Sequence, residues 1–290
     1  MDAPSNLGLR PPEEGAVPGC YKLPWVLRNH ELVRAIGATD LGSVVPPRYR
    51  AQWTAGEGDR NAEAIAAFSV ALADHLNLAH RQHEFVVVLG GDCSILVGNA
   101  LALKRRGRYG LVFIDGHSDF RHPRNALAIG AAAGEDLAIV TGHGDARLIN
   151  LEGLGPYVNH TDIALLGVRP YDLYLEELRE LGINVTTSVE LAKAGPDRTA
   201  AQALETVTRA TQGFWIHLDL DVLDARELPA VDSPEPDGLS FTLLTSLLQP
   251  LVASAHCVGL EVTIYDPDLD AEGRYAGPIV RCLEEACRAV

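Results

Sequence analysis

Two apolar runs in this chain end in metal-capable side chains set at alternate positions, and that pattern constrains the fold more than any other feature. Leu111 to Ile114 leads into Asp115, His117 and Asp119, and Phe214 to Ile216 leads into His217, Asp219 and Asp221. A short, uninterrupted apolar run reads as a strand buried on both faces, as in a parallel sheet. Carboxylates and imidazoles at the carboxyl end of such a strand stand where open α/β sheets bind ligands. Strand alternation puts His217, Asp219 and Asp221 on one face and Ile216, Leu218, Leu220 and Val222 on the other. Burying two such carboxylates unpaired costs several kcal/mol. A divalent cation relieves that cost, and so does one proton shared by a carboxyl dyad. Asp115, His117 and Asp119 supply a second set of hard oxygen and borderline nitrogen donors, which favours the cation.

Whole-chain properties narrow the class. Over 290 residues no Pro/Ser-rich or charged linker divides the recurring strand-like runs, so residues 1–290 read as one α/β domain. The net charge of −15 argues against a nucleic-acid partner, which requires a basic footprint. No apolar run approaches the roughly 18 residues of a membrane span, and no signal peptide is evident. Cys20, Cys93, Cys257, Cys282 and Cys287 are odd in number and fit no disulfide or zinc spacing, so a reducing cytoplasm is expected.

In chain order, residues 1–24 are dense in Gly and Pro and read as loop. Helical spacing is predicted over 25–36, 61–80 and 95–106, with His75, His80 and His83 near the end of the second helix read as ordinary polar positions. Phe85 to Leu89 is a further buried strand, and Gly90-Gly91 permits a tight turn into Asp92-Cys93-Ser94. Cys93 then lies at the same sheet edge as Asp115, although an inert buried thiol is the common fate of a lone cysteine. Residues 126–140 are small and apolar and predict one helix. Arg121 and Arg124 follow the first acidic stretch, where a guanidinium can hold a carboxylate by paired hydrogen bonds. His143 reads as structural. Further strands are expected over 162–168, 183–187 and 258–265.

With these residues in view, the chain resembles the ureohydrolase superfamily of arginases, agmatinases and formimidoylglutamases. Gly90-Gly91-Asp92-Cys93-Ser94 is similar to the family's Gly-Gly-Asp-His-Ser, and Asp115-Gly116-His117-Ser118-Asp119 to its Asp-Ala-His-x-Asp. His217-Leu-Asp219-Leu-Asp221-Val-Leu-Asp224 resembles Ser-x-Asp-x-Asp-x-x-Asp, and Pro234 to Leu239 resembles a family turn. The resemblance implies a three-layer α/β/α fold with a mainly parallel central sheet. It also implies two Mn²⁺ ions bridged by a hydroxide that attacks a guanidinium or amidine carbon. Carried over by position, Cys93, Asp115, Asp119 and Asp219 face one ion and Asp115, His117, Asp219 and Asp221 the other. Asp119 also orients the hydroxide, Arg121 meets a substrate carboxylate, and Asp172 meets a substrate amino group. The partner implied is a small guanidino or amidino substrate, and the assembly a homo-oligomer, either trimer or hexamer.

The chain departs from the family at four points. Cys93 replaces a histidine ligand, which makes Zn²⁺, Fe²⁺ or Co²⁺ more competitive with Mn²⁺; a hydroxyarginine-hydrolysing branch looks similar here. The shuttle histidine aligns with residues 131–133, which hold none. The guanidinium-binding glutamate aligns with Ile264, and Glu261 at an odd offset would face the other way. The family's first strand looks truncated. A non-catalytic homologue and a one-metal deacylase are the rival readings.

Overall fold

Six parallel strands form one sheet: β1 (Val86–Leu89), β2 (Gly110–Ile114), β3 (Ile163–Val168), β4 (Asn184–Thr187), β5 (Phe214–Asp219) and β6 (Cys257–Thr263). Their spatial order is β1-β6-β5-β2-β3-β4. The computed structural model describes residues 1–82, 85–127 and 129–289. The predicted histidine at position 83 lies outside these residues.

The sheet is covered on both sides, which is why its inner strands carry almost no exposed side chain. Phe113, Leu111 and Trp215 pack under helices Ala62–Ala79 and Ile95–Lys104. Val112, Ile114, Ile216 and Leu218 pack under Pro196–Thr208, Phe241–Val252 and Ala276–Ala286. This is the expected three-layer α/β/α arrangement.

Strand order decides where a ligand can sit. From β2 the chain proceeds to β3 on one side, and from β5 to β6 on the other, although β2 and β5 are neighbours. A crevice therefore opens at their carboxyl ends, where the connections part. Both acidic stretches end there.

Several expected elements differ. The spacing over 25–36 is interrupted at Glu31, with φ of 64°, giving helices Leu23–Asn29 and Leu32–Ala35. The predicted helix over 126–140 shrinks to Asp136–Val140, preceded by the short 3₁₀ turn Ala132–Gly134. Gly130, with φ of +62°, is incompatible with a continuous helix, and small apolar composition carried no sign of that turn. β5 stops at Asp219, and Leu220–Val222 is a 3₁₀ turn in which the Asp221 amide donates to Asp219 Oδ1 at 2.6 Å. Alternation therefore ends one carboxylate earlier than predicted. In place of a first strand, residues 1–3 run beside β1, with the Ala3 amide donating to Leu89 O at 2.8 Å.

Candidate metal centre

Three strand ends and two turns meet at the crevice. After β1, Gly91 passes so close to the Ser5 backbone that an added Cβ would lie 1.7 Å from its carbonyl oxygen. The expected tight turn is thus enforced by backbone contact. It delivers Cys93, whose thiol lies 2.8 Å from Asp219 Oδ2 and 3.1 Å from Thr263 Oγ1.

After β2, the Asp115 carboxylate accepts from the His117 amide at 2.6 Å through Oδ1. Its Oδ2 is buried without a hydrogen-bond partner. His117 turns outward, and its Nδ1 lies 2.8 Å from Asp221 Oδ2. The Asp221 carboxylate beside it raises the His117 imidazole to about 10. Without a cation this is an ion pair; binding a cation through His117 requires the proton to leave.

The second acidic stretch is held from behind by Arg169, a fully buried guanidinium. It donates to the carbonyls of Asp221, Val222, Leu223, Glu235 and Pro236, at 3.0–3.2 Å. Three of these carbonyls fix the turn that carries Asp221, and the other two tie it to the loop at Glu235 and Pro236. They also explain Gly116 in place of the family alanine, because a Cβ there would meet Arg169 Nη1 at 2.4 Å. Nothing adjacent to Arg169 in the chain marks this role, because its acceptors lie more than 50 residues away.

Cys93, Asp115, Asp136, His217 and Asp219 are all at most 2% exposed. Burial, with mutual repulsion added, pushes the carboxyls of Asp115, Asp136 and Asp219 well above the usual carboxylate range. Burial beside these same carboxylates also raises the Cys93 thiol. Asp115 Oδ2, His217 Nε2 and both Asp136 oxygens have no hydrogen-bond partner. Buried polar atoms without partners are rare in folded proteins. Here they converge, and the donor set fits a divalent cation. Among the described residues, three trios bring their ligand atoms within 4.8 Å of one another: Cys93, Asp136 and His217; Asp115, His217 and Asp219; and Asp115, His117 and Asp221.

Five of the six predicted ligands fall in these trios. Asp119 does not, but it lies on the cleft floor with φ of 42°, and its burial raises its carboxyl to about 8. Sequence reasoning put His217 on the correct face without assigning it a role, and it missed Asp136 altogether. Glu261 is fully buried on β6 and meets His217 Nδ1 at 2.6 Å.

Outside these groups a cleft of about 1120 Å³ opens to solvent, lined by Arg10, Arg60, Asp119, Arg121, Asp172 and Ile264 among others. Arg121 and Asp172 both line it, as expected. Asp172 is already engaged: its oxygens accept from the Ser118 amide at 3.0 Å and the Tyr174 amide at 2.9 Å. It holds the loop that carries Asp119. Ala131, Ala133 and Ile264 give the cleft an apolar side.

A parallel α/β/α protein with an acidic centre at its topological switch point, whose donors fit a cation, is the class that fold and site define. The profile of the arginase family matches residues 21–287, and the chain belongs to that family, whose members are hydrolases of amidino and guanidino C–N bonds. Arginase from Bacillus subtilis (strain 168) is 28% identical over 247 residues, covering 84% of this chain and 82% of that protein. The solved arginase of Bacillus caldovelox superposes with a TM-score of 0.87 at 25% identity, covering 99% of this chain and 96% of that one. Proclavaminate amidino hydrolase from Streptomyces clavuligerus shares the fold, with a TM-score of 0.73 at 20% identity, covering 100% of this chain and 91% of that one.

Proposed function

We propose that this chain is a dinuclear metal-dependent hydrolase that cleaves a linear C–N bond in a guanidino or amidino compound, releasing urea or a urea derivative. The observation that carries this reading is the convergence of unpartnered, buried ligand atoms at the switch point. Such a site is costly to keep without cations, which weighs against a non-catalytic role. Two ligand groups on opposite sides of Asp115 weigh against a one-metal deacylase.

The cations, Mn²⁺ by family likeness and Zn²⁺, Fe²⁺ or Co²⁺ by the Cys93 donor, supply Lewis acidity and lower the pKa of bound water. Asp119, which lines the cleft beside His117, Asp219 and Asp221, would accept a hydrogen bond from the attacking water and orient it. Arg121 holds a substrate carboxylate and Asp172 its amino group, with Tyr174 and Ser118 fixing the Asp172 rotamer.

The cleft has no histidine at 131–133 and presents Ile264 in place of a glutamate. Weak general-acid help suits a leaving group of low basicity. The substrate favoured is therefore a hydroxyguanidine or similarly substituted guanidine. The unpaired state of all five cysteines supports a reducing, cytoplasmic setting, and family likeness supports a trimer or hexamer.

The test is a panel of guanidino, hydroxyguanidino and amidino compounds assayed for urea release with metal-loaded protein. Turnover of a substituted guanidine, falling by roughly three orders of magnitude in Asp219→Ala, is expected; that factor equals about 4 kcal/mol of lost stabilisation. Full activity in Asp219→Ala would contradict the reading.

A further inference from the structure

His217 stands where the family motif has serine, and Asp136 opens the short helix Asp136–Val140 just after residues 131–133. Both are fully buried, and both reach the inner side of the centre, away from the cleft. We infer that His217 and Asp136, together with Cys93, are direct ligands of one cation, whose seat Asp115 and Asp219 complete. This deepens the metal-centre reading above and rests on it.

The His217 ring is prepared as a ligand. Its Nδ1 meets Glu261 Oε1 at 2.6 Å, and Glu261 also accepts from Asn99 Nδ2. A carboxylate only accepts, so the ring donates from Nδ1, which in the neutral imidazole leaves the Nε2 lone pair free for a cation. A carboxylate behind a histidine, fixing its tautomer and orientation, is the usual support of a metal-bound imidazole. Stacking on Phe113, with ring centroids 4.5 Å apart, fixes the ring plane.

Nε2 then points at oxygens it does not hydrogen-bond. Asp136 Oδ2 is 3.8 Å away and Asp115 Oδ2 is 4.0 Å away. Both distances exceed hydrogen-bonding range. They match two donors around a common ion: ligands about 2.1 Å from a cation stand roughly 3.4 Å apart at a tetrahedral angle and about 4.2 Å apart when opposite. Neither Asp136 oxygen has another partner. A purely structural pairing of His217 with Asp136 would close that distance to a hydrogen bond.

The chemistry of the seat follows. One sulfur, one imidazole nitrogen and carboxylate oxygens form a borderline set, which favours Zn²⁺, Co²⁺ or Fe²⁺ over Mn²⁺. The outer trio of Asp115, His117 and Asp221 has no sulfur. The two positions therefore differ in preference, and the inner one takes the softer ion.

The experiment loads metal-free protein with Co²⁺ and records its absorption, then measures metal content and chelator competition for Cys93→Ser, His217→Gln and Asp136→Asn. A near-ultraviolet sulfur-to-cobalt band is expected in wild type and absent in Cys93→Ser. In His217→Gln and Asp136→Asn the visible cobalt bands shift, and retention falls from about two ions per chain to about one. Folded variants that keep both ions and the wild-type spectrum overturn the assignment. If the variants fail to fold, X-ray absorption at the zinc edge of wild type with one equivalent of Zn²⁺ decides. One sulfur at about 2.3 Å with imidazole scattering supports the assignment, and a shell without sulfur or imidazole overturns it. Failure to release urea from any panel compound, with these spectra intact, sinks the reaction and leaves the ligand set standing. Urea release with unchanged variant spectra does the reverse.

Discussion

The two sides of the centre are built from different material. The inner wall (Cys93, Asp136, His217, Asp219 and Glu261) is buried, Asp219 alone of the five reaching the cleft, and is mounted largely on β5, β6 and the turn after β1. The outer wall (His117, Asp119, Arg121 and Asp172) borders the cleft and rides on loops. Strand-mounted groups hold their positions to fractions of an ångström, which suits ligands that must share one ion. Loop-mounted groups tolerate change and suit substrate selection. The inner wall thus specifies the cation and the outer wall the compound, so changes on the two sides should separate in their readouts.

The largest separation is expected at Glu261, which touches neither cleft nor substrate. Glu261→Gln removes the charge behind His217 and should weaken metal binding by roughly 10–100-fold, the usual cost of losing such a support. Chelator competition measures it, with wild-type affinity as the contrary result.

Gly116 sits where the two walls join. Gly116→Ala forces a methyl group against the buried Arg169, which five carbonyls prevent from yielding. Overpacking of this kind costs about 1–3 kcal/mol. A lower Tm should accompany slower turnover, since the Asp221 turn must shift; an unchanged Tm means that Arg169 moves freely.

On the outer side, Arg121→Met should raise KM about tenfold, the worth of roughly one charge-assisted hydrogen bond. Metal content should be unchanged. Loss of metal in this variant would erase the distinction between the walls.

The effect least tied to turnover lies beyond both. Burial, and then the neighbouring Asp145, raises the Asp59 carboxyl to about 6. Between about pH 4 and pH 6 the unfolded chain ionises this group while the folded chain keeps it protonated, so its contribution to stability is lost as pH rises. Asp59→Asn removes that loss. The variant should match wild type below about pH 4 and exceed it by up to about 3 kcal/mol above pH 6. Denaturant titrations at both pH values check this, and a difference independent of pH contradicts it.

How far the sequence foretold these walls depends on how local each signal is. The ends of β2 and β5 were legible because apolar run and acidic tail adjoin in the chain. Cys93 was legible through its glycine turn. His217 was visible on the right face, but its meaning depends on Glu261, which β-sheet register brings opposite it from 44 residues away. Asp136, beside Glu135, lay inside a stretch read as one small, apolar helix, which Gly130 and the turn after it shorten. Arg169 is a lone basic residue after β3, and its five acceptors belong to a turn distant in sequence.

Anomalous diffraction from crystals of metal-loaded protein tests the central claim most directly. The account predicts one peak within about 2.0–2.3 Å of Cys93 Sγ, His217 Nε2 and an Asp136 oxygen, and a second beside His117 and Asp221. Two peaks that both leave His217 Nε2 and Asp136 beyond bonding distance would contradict it.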